Sequence, residues 1–321
     1  MAFVDIKDSC YVKQLIYPGK ILTYPWACVR DSVYPIMIED SDIAKSQIII
    51  GDKFIKIEDY LSEEGSDPLE KRIPVIAFGA NRNIENLVWK MKRYDVSDDV
   101  IIALPAYIEN SESVVSSIFF SGHFYSDIIF NDQYCENTVL EATLLLLSVK
   151  QVYAINKSEN VPKAEIENHW GAKLAYINTL VPTLGYGRIK ALIYVSETMI
   201  MRHPKYDTPI AFRDVFAFNR KIPEYSQMQL YEEFLIKGEG LMRERVTDIL
   251  SDMYEYWNFK NEEKKETYEF VCDILKKYAW TDDKGNYING EYLAKRDNLL
   301  LGREEWWNIP KKYFLFDNLG N

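Results

Sequence analysis

The chain has 321 residues, 47% of them hydrophobic, enough to bury a sizeable core and to supply two ordinary domains. Its 38 Lys and Arg against 49 Asp and Glu leave a net charge of -11, which disfavours non-specific attraction to nucleic acid or to an anionic membrane. The start, Met1-Ala2-Phe3-Val4-Asp5, lacks a basic segment followed by a long apolar one, and no apolar run reaches the ~18 residues of a membrane span, so a cytoplasmic protein with no membrane partner is expected.

In chain order, residues 1–70 read as an N-terminal extension. Gln47-Ile48-Ile49-Ile50 and Phe54-Ile55-Lys56-Ile57, joined by Gly51-Asp52, have the length and turn of a β-hairpin. Residues 71–222 form the next block. It opens with an apolar strand from Ile73 that ends in Phe78-Gly79-Ala80-Asn81 and leads into a helix expected over Ile84 to Tyr94. Gly79 lets a ligand approach the main chain, and amides near a helix N-terminus are donors for an anionic group, so the turn outlines a carboxylate- or phosphate-binding loop; the same pattern also serves as a plain connection.

Val100 to Ala103, Val114 to Phe120, Thr138 to Leu147 and Arg188 to Val195 are further strands, rich in β-branched, aromatic and aliphatic residues. With the Val75 strand they predict a five- or six-stranded mixed sheet able to curl into a small barrel. Ser148 to Ala154 reads as a short helix, closed by Ile155-Asn156-Lys157-Ser158-Glu159. Thr208 to Phe212 reads as an edge strand because Pro209 cannot donate to a central ladder. From 223 to 321 the character is helical: Ser226 to Gln229 fits a capping box, and Met242, Val246, Ile249, Met253 and Trp257, then Tyr268, Val271, Leu275 and Tyr278, recur at helical spacing.

The pairing of a strand ending in Phe78-Gly79-Ala80-Asn81 with a later strand, a short helix and Ile155 to Glu159 resembles the γ-glutamylcyclotransferase-like superfamily. The similarity looks closer to a poorly characterised bacterial branch that couples its loop to a Ser-Ala-His-Phe segment, here Ser121-Gly122-His123-Phe124, and to a hydrophobic strand, here Ala191 to Val195. The resemblance implies an α+β fold with a small mixed sheet or barrel, to which this chain adds its C-terminal helical region. It implies a cyclotransferase or other amide-bond-cleaving enzyme for a γ-glutamyl or related acyl-amide small molecule, needing no cofactor. Phe78, Gly79, Ala80 and Asn81 would hold the substrate, Ser121 and His123 would contact it, and Glu159 would be the acid/base. The chain departs from the family in having Phe78 for Tyr, Ala80 for Ser and Asn160 for Gly. Main-chain donors survive those changes, and the alternative is a non-catalytic module that binds a small molecule or peptide in the same cavity while the C-terminal helices contact a protein partner.

The residues also carry readings of their own. Glu159 can free an amine and then protonate the leaving amine if an apolar setting raises its pKa; otherwise it is an exposed Glu after a short helix. Ser121 and His123 invite a nucleophile reading, but no Gly-x-Ser-x-Gly elbow is present, and a strand-end histidine satisfied by hydrogen bonding is the alternative. His123, His169 and His203 are isolated, Glu165, Glu167 and His169 read as a solvated loop, and Asp282 to Asn286 reads as a turn, so no metal is expected. Cys10, Cys28, Cys135 and Cys272 lack Cys-x-x-Cys spacing and read as reduced thiols. Gly185 to Arg188 is either a hairpin turn or an anion contact, and Trp306 with Trp307 either anchors a partner or docks the tail on the core.

Overall fold

The computed structural model describes residues 18–119, 122–161, 172–185 and 187–315. Strands β1 (Trp26–Val29), β2 (Ser32–Glu39), β3 (Asp42–Ile50) and β4 (Lys53–Lys56) lead to helix α1 (Ile57–Glu63), then to β5 (Ile73–Ala77), α2 (Ile84–Arg93), β6 (Ile101–Glu109), β7 (Ser111–Ile118) and β8 (Phe124–Phe130). There follow β9 (Val139–Leu147), α3 (Val149–Ser158), β10 (Lys173–Leu180), β11 (Arg188–Val195), and the short β12 (Ala211–Phe212), β13 (Ala217–Phe218) and β14 (Glu224–Tyr225). Helices α4 (Gln227–Tyr231), α5 (Arg243–Phe259), α6 (Lys265–Lys276), α7 (Gly290–Arg296) and α8 (Arg303–Trp307) complete an α+β chain. No described helix is long and apolar enough to cross a membrane.

The chain forms two compact units that interleave along the sequence, whereas the blocks 1–70, 71–222 and 223–321 run consecutively. One unit takes Lys20–Glu109, Val139–Glu197 and the segment from Ala294; the other includes Asn110–Thr138 and Thr198–Leu293. In the first, β9 lies antiparallel to both β5 (Ile76 opposite Leu144) and β6 (Leu104 opposite Leu144). The β5 strand runs parallel to β11 (Ile193 beside Ile76), and β11 is antiparallel to β10 (Ala175 opposite Ile193). The β10 strand meets β6 at Leu180 opposite Tyr107, which closes a five-stranded barrel and removes its free edges. Because side chains alternate along a strand, Ile76, Leu104, Leu144, Ala175 and Ile193 fill the inside. The opposite face carries Val75, Ala77, Leu145, Leu147, Leu192 and Tyr194, covered by α2, α3 and the segment around Trp306.

The expected hairpin is present as β3 and β4, with Ile50 opposite Lys53 across Gly51 (φ 60°) and Asp52. Two strand expectations are corrected. The Val114 to Phe120 strand corresponds to β7, which belongs to the other unit, in a sheet of order β14-β12-β7-β8; β10, unanticipated, takes the place in the barrel. Strand propensity marks a half-buried extended segment without saying which sheet receives it, so composition could not separate the two. The Thr208 to Phe212 edge strand contracts to Ala211–Phe212, which is an inner strand between β7 and β14. Pro209 stands ahead of it at an isolated bridge to Arg202, where its missing N–H breaks no ladder.

In the helical region the Ser226 capping box forms, with Ser226 N donating to Gln229 Oε1 at 3.0 Å. Val246, Ile249 and Met253 are buried on α5 as their spacing predicts, but Met242 precedes the helix and is 73% exposed, while the Trp257 side chain lies outside the described residues. Asp282 to Asn286 is a turn in which Asp282 Oδ1 accepts from the amides of Lys284 and Asn286, both at 2.9 Å.

Candidate functional site

The site begins with how β5 ends. Gly79 turns the chain with a negative φ of -117°, so the bend itself does not demand the left-handed region. A 3-10 turn, Ala80–Arg82, follows, and its first bond runs from Arg82 N to Gly79 O at 2.9 Å. The amides ahead of that bond are not used by the turn itself. Phe78 is buried, its ring packed in the core. Asn83 caps α2, its Oδ1 accepting from Glu85 N at 2.8 Å and Asn86 N at 3.3 Å.

Glu159 is placed by the two ends of α3. At its start Ser148 and Gln151 form a capping box, with Ser148 N donating to Gln151 Oε1 at 3.0 Å and Gln151 N to Ser148 Oγ at 3.3 Å. At its end Glu159 is the C-cap, Val161 N donates to Asn156 O at 2.9 Å and Asn160 N to Lys157 O at 3.3 Å, the double bond pattern of a Schellman ending. That ending puts Asn160 at φ 53°, in the left-handed region that Gly favours and Asn tolerates. Asn160 therefore holds the backbone conformation that sets the Glu159 side chain.

Glu159 Oε1 accepts from Asn81 Nδ2 at 3.1 Å and from Lys90 Nζ at 2.5 Å, and Lys90 Nζ also donates to Asn81 Oδ1 at 2.7 Å. The three side chains thus form a closed triangle linking the loop, α2 and the end of α3. Lys90 is 9% exposed and Glu159 29%. Burial works against the Glu159 charge, but the Lys90 ammonium and the Lys90 and Asn81 hydrogen bonds outweigh it and hold the carboxyl below its ordinary range. The raised pKa expected of an acid/base in an apolar setting is not what this geometry gives, because a cation occupies the apolar setting with it. Behind the triangle, Tyr194 Oη donates to Asn156 Oδ1 at 2.6 Å and Asn156 Nδ2 donates to Trp306 O at 2.7 Å. Burial, with the Glu159 charge nearby, pushes the Tyr194 phenol well above its ordinary value, so it stays a neutral donor. Trp306 is buried and gives its Nε1 proton to Leu301 O at 3.1 Å; it docks the chain end on the barrel.

Asn81 and Glu159, 78 residues apart, are therefore brought together, with Phe78, Gly79 and Ala80 on the same turn. His123 belongs to the other unit, in a turn where Phe119 N donates to His123 O at 2.8 Å; desolvation of its ring pushes the imidazole down to about 4, so it is neutral at pH 7. Ser121 lies outside the described residues, as do Glu165, Glu167, His169 and Tyr186. Among the described residues no group of three or more His, Cys, Asp or Glu is placed to hold a metal ion.

Lys90 is the residue that reading the sequence missed. It flanks the apolar stripe Ile84, Leu87 and Met91 of α2, a position where a long cation can lay its stem on apolar surface and bury its head beside a carboxylate. The inward aim of Glu159 also had a signal: with Val152, Ile155 and Asn156 it completes an i, i+3, i+4, i+7 set on one helix face. The chain matches no protein-family model, no curated protein and no solved structure.

Proposed function

We propose that the barrel unit is a γ-glutamylcyclotransferase-like enzyme acting on a γ-glutamyl or related acyl-amide small molecule, with Glu159 as general acid/base. The observation that carries this is the 3.1 Å contact between Asn81 of the loop and Glu159 after α3, which joins the two halves of the motif. A closed small barrel, with the loop at the end of one strand, supports it. In the reaction the substrate's α-amine attacks its γ-carbonyl carbon, a ring C–N bond forms and the original amide C–N bond breaks. Glu159 takes the proton from the attacking amine and returns one to the leaving amine, so the enzyme ends as it began. Held as a carboxylate by Lys90, Glu159 is ready to accept but accepts weakly, and once protonated it donates readily. The demanding moment is therefore the first transfer, when the attacking substrate amine competes with Lys90 for the same oxygen. The amides of Gly79 to Asn81 hold the substrate carboxylate.

The Lys90 pair also favours a second reading. A carboxyl kept below its ordinary range is far from the near-neutral pKa that suits general acid/base work, as expected of a non-catalytic module that binds the same class of molecule. Incubation with a γ-glutamyl dipeptide, followed by mass spectrometry for the cyclised product, separates the two. Turnover by the wild type that falls on the order of a hundredfold or more in a folded Glu159→Gln variant supports the enzyme. Binding without turnover supports the module, and full activity in Glu159→Gln eliminates the mechanism.

A further inference from the structure

Arg82 directly follows the loop, yet its side chain takes no part in the Glu159 triangle. It is 3% exposed and lines a cleft of about 50 Å3 together with Leu22, Thr23, Tyr107, Glu141 and Thr143. Its Nε donates to Thr143 Oγ1 at 3.3 Å, Nη1 to Glu141 O at 3.1 Å and Nη2 to Glu141 Oε1 at 2.5 Å. A guanidinium has five N–H groups, so one on each terminal nitrogen has no partner among the described residues. The Glu141 carboxylate is likewise half used: Oε1 is taken by Arg82, and Oε2 receives no hydrogen bond from the described residues. A buried cation with spare donors and a carboxylate with a spare acceptor thus stand side by side on the wall of one small cleft, fixed by the register of β9, which puts Glu141 and Thr143 on the same face.

We infer that this cleft binds the head group of a free α-amino acid, the carboxylate on the unused Arg82 N–H groups and the ammonium on Glu141 Oε2. The ligand class follows from charge and size. Arg82 and Glu141 already cancel, so a lone anion or cation would be buried without compensation, whereas a zwitterion adds no net charge and pairs both ends. The volume is several times the one-water minimum but far below the 300 Å3 or so of a drug-sized pocket, which suits an amino-carboxyl head group whose side chain points outward. The assignment goes beyond the Glu159 reading and does not depend on it.

The test is a nuclear magnetic resonance titration of the full chain, following the Arg82 Nε–H signal with glycine, acetate and methylammonium. Glycine should saturate the shift with a dissociation constant on the order of millimolar, and acetate and methylammonium should each bind roughly tenfold more weakly or worse, since each leaves one charged partner unmet. Glu141→Gln should weaken glycine by roughly tenfold and tighten acetate, whose charge then meets an uncompensated Arg82, while Glu159→Gln should leave glycine binding intact, which separates this site from the proposed reaction. Should Glu141→Gln fail to fold, the comparison of the three ligands on the wild type decides by itself. No Arg82 shift with glycine up to about 0.1 M, or equal affinity for glycine and acetate, overturns the assignment.

Discussion

Two ion-paired glutamates in this molecule end on opposite sides of the ordinary carboxyl range although burial pushes both upward. Glu159, 29% exposed, shares one oxygen between Lys90 and Asn81, and those partners outweigh desolvation and lower its pKa. Glu112 on β7 is fully buried and grips Arg220 with both oxygens, Nε to Oε2 at 2.8 Å and Nη2 to Oε1 at 3.0 Å, with Ser113 N donating to Oε1 at 3.0 Å. Its carboxyl is nonetheless raised, because complete burial costs the charge more than Arg220 and Ser113 return, and Glu224, also bound to Arg220, adds a repelling charge. Both carboxyls sit in salt bridges and both pay for desolvation; the partners outweigh that cost at Glu159 and fall short of it at Glu112. A salt bridge is therefore no measure of charge stabilisation until the cost of desolvating it is set against what its partners return.

Removing the cations sharpens that comparison, and the larger effect belongs to the drier pair. Arg220→Met strands a fully buried Glu112 and should cost about 3–5 kcal/mol of stability in the unit that holds it, read as a lower denaturation midpoint. Lys90→Met strands a carboxylate that still reaches water, so about 1–3 kcal/mol is expected. The same variant should move the Glu159 titration upward, measured by carboxyl resonance shifts. Equal costs for the two variants would break the argument that burial, rather than partner count, sets the difference.

The smallest effect is on the pH slope of stability, and its sign differs between the pairs. The folded Glu159 pKa lies below the ordinary 4.5, so its contribution is present above 4.5 and is lost as pH falls through the folded value. The folded Glu112 pKa lies above 4.5, so the folded state binds the extra proton and stability declines as pH rises from 4.5 through the folded value. Urea melts across that range should show the decline in the wild type and its absence in Glu112→Gln. An unchanged slope would mean that Glu112 stays charged in the fold.

Part of the site was legible because its signals are short-range. The Gly79 loop, the helix after it and a Glu closing the next helix follow from strand, cap and periodicity cues that act over a few residues. The Ser148-x-x-Gln151 capping box and the inward set Val152, Ile155, Asn156 and Glu159 were also in the sequence, available to the same rules. His123 falls in the segment Asn110–Thr138, which short-range cues do not assign to either unit.

What the sequence by itself determined is local: the β3–β4 turn at Gly51, the start of α2 at Asn83, the capping box at Ser226 and the position of Glu159 at a helix end. Those choices rest on backbone conformations and hydrogen bonds closed within about one turn. Tertiary structure decided that β10 rather than β7 completes the barrel, that Lys90 meets Glu159 across 69 residues, and that Arg82 turns to Glu141 across 59. An ion pair of that kind has no energy of its own along the chain; its worth depends on how much water the packed elements leave around it, and only the assembled fold sets that.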